Sequence, residues 1–217
     1  MLLQGNKISK SYNKIDVLNN VDISVSSGEI VSIVGRSGAG KSTLLYILSS
    51  LEDPDNGDVL VDGINLKSLS KNQLAHFRNQ NIGFIFQFHN LLPEFDALEN
   101  VCIPGYISEK KRKDVERQGK YLLDFLDLSE RIHHRPDELS GGEQQRVAVA
   151  RSLINNPSII FADEPSGNLD SKNSKQLFDL IKKLNRELDK TFVLVTHNLE
   201  FASIAKRILK IEDGKIK

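Results

Sequence analysis

The chain has 217 residues, of which 39% are hydrophobic, and this is enough for one domain with a buried core. Lysine and arginine together number 29, as do aspartate and glutamate, so the formal net charge is zero and no overall basic field favours nucleic acid or anionic lipid as a partner. The single cysteine, Cys102, excludes an internal disulfide and is expected to be a small buried residue.

The chain begins with a stretch, Met1–Asn6, that is too short and polar for a signal-peptide core. No apolar run elsewhere approaches the roughly 18 residues of a membrane helix. We therefore expect a cytoplasmic protein with no direct membrane insertion. The basic run Lys110–Lys113 is expected to be the solvated start of a helix rather than a binding patch.

The first part of the chain has strand patterns. Val21–Val25 alternates apolar and polar residues, as a half-exposed strand does, and Ile30–Val34 is mostly β-branched, as a buried strand is. A glycine-rich turn then leads into a helix at Thr43–Leu48. Val59–Val61 and Ile82–Phe86 are further predicted strands.

From about residue 90 to residue 156, helical patterns replace strand patterns, notably over Glu109–Leu126 and Gly142–Ile154. We interpret residues 90–156 as a helical subdomain inserted into a single domain that spans residues 1–217. Residues 1–89 and 157–217 would then form the core of that domain.

Alternation of strand and helix returns in the last part of the chain. Ile159–Ala162 is a predicted buried strand, and Thr191–Val195 is another. Between them, Ser171–Leu188 predicts an amphipathic helix whose apolar face is made by Leu177, Leu180, Ile181, Leu184 and Leu188. Asp213-Gly214 predicts a final hairpin.

A phosphate-binding loop is predicted between the strand Ile30–Val34 and the helix that follows it. Residues 35–42 match the pattern G-x-x-x-x-G-K-[S/T], in which glycines let backbone N–H groups face phosphate oxygens at a helix N-terminus. Lys41 is expected to reach the β- and γ-phosphates, and Ser42 to bind Mg²⁺. The full predicted set is Gly35, Arg36, Ser37, Gly38, Ala39, Gly40, Lys41, Ser42 and Thr43. The alternative is a glycine-rich turn without a ligand.

Two carboxylates follow the strand Ile159–Ala162. Asp163 is placed to hold Mg²⁺, directly or through water, and Glu164 is placed to orient or deprotonate the water that attacks the γ-phosphate. An Asp-Glu pair at a strand end is by itself a weak signal, because carboxylates also occur where strands meet solvent. The prediction depends on its combination with the phosphate loop.

A third motif, Leu-Ser-Gly-Gly-Glu-Gln at residues 139–144, lies between these two. Its local alternative is a capping box, in which Ser140 and Glu143 begin a helix. Capping alone does not require two glycines in the first turn, because glycine weakens a helix. In this order the three motifs resemble the ABC-type ATPases, and the resemblance covers nearly the whole chain.

The resemblance implies a fold and an assembly. The fold would be α/β, with a P-loop NTPase core containing a mixed β-sheet, an N-terminal antiparallel β subdomain and an inserted α-helical subdomain. In this family the 139–144 segment is the signature, which faces the phosphate loop of a second copy. The resemblance therefore implies an ATP-bound homodimer in which Ser140, Gly141 and Gly142 contact the partner's nucleotide.

Further site residues come from the resemblance alone. Gln87, after the strand Ile82–Phe86, matches a glutamine that senses Mg²⁺ and water, although a lone glutamine there is usually a surface residue. His197 matches a histidine that contacts the γ-phosphate, although it also fits an ordinary strand end. Asp170 matches the acidic end of a loop that crosses the dimer interface. Tyr12 matches an aromatic residue that stacks on adenine, although it also fits a strand core.

The segment from Gly83 to Val101 resembles most closely the ATP-binding subunits of lipoprotein-releasing systems, and Ser166 is a mild departure because that group usually has threonine there. Macrolide-export ATPases and cell-division ATPases are related alternatives. The resemblance implies a peripheral subunit on the cytoplasmic face of the inner membrane, with separate permease subunits that dock near Gln87–Val101. Five apolar residues there are candidates for the docking groove, with at least half expected to be core: Phe88, Leu91, Leu92, Phe95 and Leu98.

Overall fold

The computed structural model describes all 217 residues and contains two β-sheets. The N-terminal sheet has four antiparallel strands in the order β2-β1-β4-β5. Its strands are β1 (Leu3–Tyr12), β2 (Ile15–Val25), β4 (Asn56–Val61) and β5 (Ile64–Asn65). The expected N-terminal antiparallel sheet is therefore present.

The second sheet has six strands and is mixed. Its order is β10-β9-β3-β8-β7-β6, in which every neighbouring pair is parallel except the terminal hairpin of β9 and β10. The strands are β3 (Ile30–Val34), β6 (Ile82–Phe86), β7 (Ile159–Asp163), β8 (Thr191–Val195), β9 (Arg207–Glu212) and β10 (Lys215–Ile216). The strands predicted at Ile82–Phe86 and Thr191–Val195 are confirmed at both ends.

Seven α-helices complete the fold. They are α1 (Lys41–Leu48), α2 (Lys71–Asn81), α3 (Ala97–Ile107), α4 (Arg112–Phe125), α5 (Gly141–Leu153), α6 (Ser171–Leu188) and α7 (Leu199–Ala202). The helices predicted at Glu109–Leu126 and Gly142–Ile154 correspond to α4 and α5 with small shifts at their ends. Between β6 and β7 the chain forms helices and no strand, while the proposed subdomain boundaries stay a prediction.

The six-stranded sheet separates two hydrophobic cores. Side chains alternate along each buried strand, so that Phe192 and Leu194 of β8 face the helices α3 to α6, whereas Val193 and Val195 face α1 and the N-terminal sheet. Cys102 is fully buried on the first side, and burial raises the pKa of its thiol to about 11. The central strands are therefore held on both faces, and their carboxyl ends are fixed in space.

Three of the five apolar residues considered for a docking groove are exposed: Phe88, Leu92 and Phe95. Leu91 is half-buried against the core, and Leu98 alone is buried. The expectation that at least half would be core is therefore wrong. The reason is that this segment runs over the surface between β6 and α3 instead of entering the helical core.

Candidate functional site

The predicted site residues lie at the carboxyl ends of four adjacent parallel strands. The loop Gly35–Gly40 follows β3, His197 comes two residues after β8, Asp163 ends β7, and Gln87 follows β6. Ligands of open α/β sheets bind at this edge, because the loops that leave neighbouring strands converge there. The sheet order β3-β8-β7-β6 thus brings together side chains that are far apart in the sequence.

The loop before α1 has the backbone of a phosphate cradle. Gly38 and Gly40 have φ values of 76° and 96°, which side chains rarely adopt, and a Cβ at Gly35 would lie 2.5 Å from the carbonyl oxygen of Ile211. Arg36, Ser37 and Gly38 are exposed, so their N–H groups are accessible to a ligand. The glycines are therefore required by this backbone.

The helix α1 begins with Lys41, Ser42 and Thr43, and the first two side chains hydrogen-bond to different groups. The Lys41 side chain is buried and its Nζ donates to the carbonyl oxygen of Arg36 at 3.1 Å, so the ammonium group lies over the loop. The Ser42 hydroxyl donates to Asp163 Oδ1 at 3.0 Å. The helix N-terminus adds a favourable dipole for an anion.

Tyr46 is a site residue that the sequence argument missed. Its hydroxyl donates to Asp163 Oδ2 at 2.8 Å, and burial, followed by the hydrogen bond to Asp163, raises its pKa to about 12. Tyr46 therefore stays protonated and fixes the carboxylate from the side opposite Ser42. Ser42 and Tyr46 are four residues apart on one helix face, and this spacing was the available signal.

Glu164 follows Asp163 with a left-handed backbone, at φ 44°. Its N–H donates to the carbonyl oxygen of Val195, and its Oε2 lies 3.2 Å from the His197 backbone nitrogen and 3.0 Å from His197 Nδ1. The Glu164 carboxylate is mostly buried, whereas the His197 ring is 71% exposed. The two predicted residues therefore form one pair at the open edge of the sheet.

Gln87 is joined to the loop after Glu164. Its Nε2 donates to Asn168 Oδ1 at 3.1 Å, and Asn168 Nδ2 donates back to the Gln87 carbonyl oxygen at 3.1 Å. A Cβ at Gly167 would lie 2.8 Å from Gln87 Nε2, so a larger residue there would displace the Gln87 side chain. Asp170, at the end of the same loop, caps α6 by accepting from the Asn173 N–H at 2.7 Å.

Tyr12 ends β1 next to the phosphate loop and is 40% exposed. Its hydroxyl donates to Glu52 Oε1 at 2.5 Å, and Thr43 lies within hydrogen-bonding reach of it. Lys10 Nζ lies 5.5 Å from the ring centroid. The residue is therefore not a strand core residue, and its ring is held in place with accessible surface for stacking.

The segment 139–144 begins α5 and has no hydrogen bond to the phosphate loop of its own chain. The Ser140 hydroxyl and the Glu143 carboxylate form the expected capping box. A Cβ at Gly141 would meet nothing within 4 Å, whereas one at Gly142 would lie 2.3 Å from Asn173 Oδ1. Of the two glycines, only Gly142 is closely packed inside this chain, against the Asn173 side chain.

Gln145, directly after this segment, links it to the carboxylate loop. Its side chain is buried and its Nε2 donates to the carbonyl oxygen of Pro165 at 2.9 Å. Gln145 lies outside the motifs that the sequence predicts as site residues. Most of the predicted site residues thus share the carboxyl edge of the sheet. Ser140 and Gly141 instead begin α5 in exposed positions, and Gly142 is buried against Asn173.

None of the helices combines the length and the apolar character that a membrane crossing requires. Comparison with known proteins gave matches over almost the whole length. A family model described as "ABC transporter" matches residues 18–167, more than half of the chain.

Two relatives are each called "Lipoprotein-releasing system ATP-binding protein LolD". The one from Cytophaga hutchinsonii is 54% identical over 215 residues, covering 99% of this chain and 98% of that protein. The one from Porphyromonas gingivalis is 51% identical over 214 residues, with 99% and 98% coverage. A dimeric solved structure of the ATP-binding cassette MJ0796 with ADP and Pi has a TM-score of 0.90 and 39% identity, covering 100% of this chain and 97% of that chain.

Proposed function

Because this chain belongs to the ABC transporter family, as an ATP-binding and ATP-hydrolysing subunit, we propose that it drives the release of lipoproteins from the inner membrane through a separate permease. The observation that carries the ATPase part is the convergence of Lys41, Ser42, Asp163, Glu164 and His197 at one sheet edge. The lipoprotein part is supported by relatives of that name at 51–54% identity over nearly the full length.

The phosphate loop would bind the triphosphate of ATP. Lys41 is already buried beside the loop, with its ammonium on the Arg36 carbonyl oxygen, and this hydrogen bond would be exchanged for phosphate oxygens. The N–H groups of the loop and of α1 would complete the cradle. Tyr12, held by Glu52, would stack on the adenine ring.

The donor set beside the loop fits Mg²⁺. Ser42 Oγ and Asp163 Oδ1 are hard oxygen donors 3.0 Å apart, and Mg²⁺ is commonly bound by one or two protein oxygens together with substrate phosphates and water. We propose that Ser42, Asp163 and Gln87 hold the ion, with Tyr46 positioning the carboxylate. When bound, Mg²⁺ neutralises charge that develops on the phosphates.

Glu164 would orient and deprotonate the attacking water. Its carboxylate is oriented by the His197 backbone N–H and faces the His197 ring, whose other nitrogen remains free for the γ-phosphate. Asn168, in the loop after Glu164, is hydrogen-bonded to Gln87, which precedes the helical segment. A change at this site would therefore be transmitted through Gln87 to that segment. The negative charge that forms on the leaving phosphate is stabilised by Lys41 and by the loop dipoles.

A homodimer would complete two such sites. No hydrogen bond joins Ser140, Gly141 or Gly142 to the phosphate loop of their own chain. Gly141 has open space beside its backbone at a helix N-terminus, where an anion can bind. We infer that they contact the γ-phosphate on the partner subunit, with Asp170 near the interface. The dimeric structures of the MJ0796 cassette support this arrangement.

Permease subunits would dock on the exposed side chains of Phe88, Leu92 and Phe95, a cluster of apolar surface of the type found at protein interfaces. The proposed location is therefore the cytoplasmic face of the inner membrane. A regulatory cell-division ATPase that signals without moving cargo, and a macrolide-export ATPase, are the competing functions.

Affinity purification from detergent-solubilised membranes tests the proposed function. We expect permease subunits to co-purify, and the reconstituted complex to transfer a lipoprotein from liposomes to a soluble carrier only with ATP. Arg117→Met, at an exposed position on α4, should co-purify with the same subunits and transfer lipoprotein as the unchanged chain does. Recovery of a division-site partner with no lipoprotein transfer would contradict the proposal and favour the regulatory function.

A further inference from the structure

Arg151 lies near the C-terminal end of α5 and holds the loop that follows Gln87. Its NH2 group donates to the carbonyl oxygen of His89 at 2.5 Å, and its NH1 group donates to that of Asn90 at 2.6 Å. A guanidinium group can donate two such bonds in a fixed fork geometry. The contact therefore fixes both the position and the orientation of this backbone turn.

The guanidinium group of Arg151 has no carboxylate partner. Burial lowers its pKa, and no charged group opposes that shift. Since arginine stays protonated in proteins, its positive charge is stabilised by the two loop carbonyl groups. Loss of either carbonyl group from this position would leave a largely buried charge without its acceptor.

The backbone of the turn is shaped for this contact. His89 and Asn90 both have left-handed φ values, 55° and 50°, in consecutive positions without glycine. Such residues cost conformational energy and persist only where surrounding contacts hold them.

The same loop is anchored on two other sides. Gln87 is hydrogen-bonded to Asn168, in the loop after β7. The buried Asn100 of α3 accepts from the Leu92 N–H at 2.8 Å and donates to the Leu92 carbonyl oxygen at 3.0 Å. The Phe88 side chain between these anchors is 72% exposed and that of Leu92, at the second anchor, is 43% exposed, so a partner can contact the loop while its backbone is held.

We propose that Arg151 is a positioning residue that connects the loop Gln87–Leu92 to α5. Force that a docked permease exerts on Phe88 and Leu92 would then reorient the signature residues at the other end of that helix. Ser140 lies eleven positions from Arg151, a distance of about 16 Å along a rigid helix. The inference rests on the proposed function, because it assumes that Ser140–Gly142 act on the partner subunit's ATP.

The test measures ATP-dependent dimerisation in a Glu164→Gln parent chain, by analytical ultracentrifugation. Arg151→Met is expected to raise the dimerisation Kd at least about tenfold, because the signature residues would lose the support of the two charge-assisted hydrogen bonds at the other end of α5. The affinity of the dilute, monomeric chain for a fluorescent ATP analogue should stay within about twofold of the parent, because no hydrogen bond of Arg151 reaches the phosphate loop. The matched control Arg117→Met removes an exposed arginine from α4 and should change neither quantity.

A second pair of variants breaks the contact from the loop side, at the exposed Asn90. Asn90→Pro cannot adopt a positive φ and disfavours the left-handed backbone of His89, so it should weaken dimerisation as Arg151→Met does. Asn90→Gly keeps the turn and both carbonyl groups, and it should dimerise like the parent. This pair decides the question if Arg151→Met fails to fold.

The outcomes distinguish a failure of the role proposed for Arg151 from a failure of the proposed function. Equal dimerisation of the parent, Arg151→Met and Asn90→Pro would overturn the role of Arg151 and leave the proposed function intact. Loss of ATP binding in Asn90→Pro together with dimerisation would also overturn it, because the effect would then not be confined to the signature. A parent chain that binds ATP without dimerising would instead contradict the proposed dimer.

Discussion

The phosphate loop Gly35–Ser42 and the signature segment Leu139–Gln144 are both glycine-containing starts of helices, but they are connected differently. Lys41 hydrogen-bonds within its own loop, to the Arg36 carbonyl oxygen, but Ser42 contacts Asp163, which is 121 residues away. Ser140 instead hydrogen-bonds only within its own turn, to Glu143 and to the Gln144 N–H. The phosphate loop thus gains further site residues from its own chain through the sheet, whereas the signature segment does not.

The largest expected effect concerns the phosphate-loop side, to which Glu164 belongs. Glu164→Gln should lower ATP turnover by about 10²–10⁴-fold, the range for loss of a positioned general base, while ATP affinity is retained. Steady-state phosphate release and nucleotide binding measure the two quantities. Glu187→Gln removes an exposed carboxylate from α6 and is the control; turnover near the wild-type rate in Glu164→Gln would remove Glu164 from its role.

The next effect separates the two helix starts directly. Ser140→Arg should block hydrolysis while the single chain binds ATP with unchanged affinity, because its defect lies in the partner subunit's site. Lys41→Ala should instead weaken nucleotide binding by at least about tenfold, through loss of charge-assisted phosphate contacts. Nucleotide titrations of dilute chains distinguish the variants, and equal loss of binding in both would mean that the signature is only structural.

A smaller effect tests the base-stacking surface on the phosphate-loop side. Tyr12→Ala should lower ATP affinity by about tenfold, as expected for loss of one aromatic stacking contact. Tyr12→Phe keeps the ring and loses only the hydrogen bond to Glu52, so it should bind ATP nearly as wild type does. Unchanged affinity in Tyr12→Ala, measured by the same titrations, would exclude stacking on this residue.

The smallest effect concerns the capping of the signature helix. The Ser140 backbone N–H, with help from the Ser140 hydroxyl and Arg131, lowers the pKa of Glu143 to about 2 from its usual 4.5. Because the folded-state pKa is lowered, this stabilisation is fully present above about pH 4.5 and is lost as the pH falls toward 2. Glu143→Gln should therefore lower the Tm at pH 7 by about 2–4 °C.

The pH dependence supplies the check on that prediction. The difference in Tm between wild type and Glu143→Gln should shrink between pH 5 and pH 3, since only the wild type has the titrating carboxylate. Thermal unfolding followed by circular dichroism measures it. A difference in Tm that stays constant over this range would mean that the charge of Glu143 does not stabilise the helix start.

The sequence predicted the elements with strong periodicity and missed those without it. Ser171–Leu188 was predicted at both ends because its apolar face is continuous. The helix Lys71–Asn81 was missed because it buries only Phe77, and Ala97–Ile107 because Pro104 lies inside it. Both begin with a capping box, Ser70 with Gln73 and Asp96 with Glu99, and this was the available signal.

Within the site, motif residues were predictable and their supporting residues were not. Tyr46, Asn168 and Arg151 act through contacts with residues 61 to 117 positions away. Such contacts depend on sheet order and on helix packing, which a single sequence does not specify. The exposed position of Phe88 was likewise unpredictable, because an apolar segment next to a strand fits a core as well as a docking surface.

The most direct test of the account is the molar mass of Glu164→Gln with saturating ATP, measured by light scattering. We expect twice the chain mass of 24.3 kDa, and a return to the chain mass when Ser140→Arg is added or ATP is omitted. A Glu164→Gln chain that binds ATP but keeps the mass of one chain would contradict the claim that the signature acts on a partner's nucleotide.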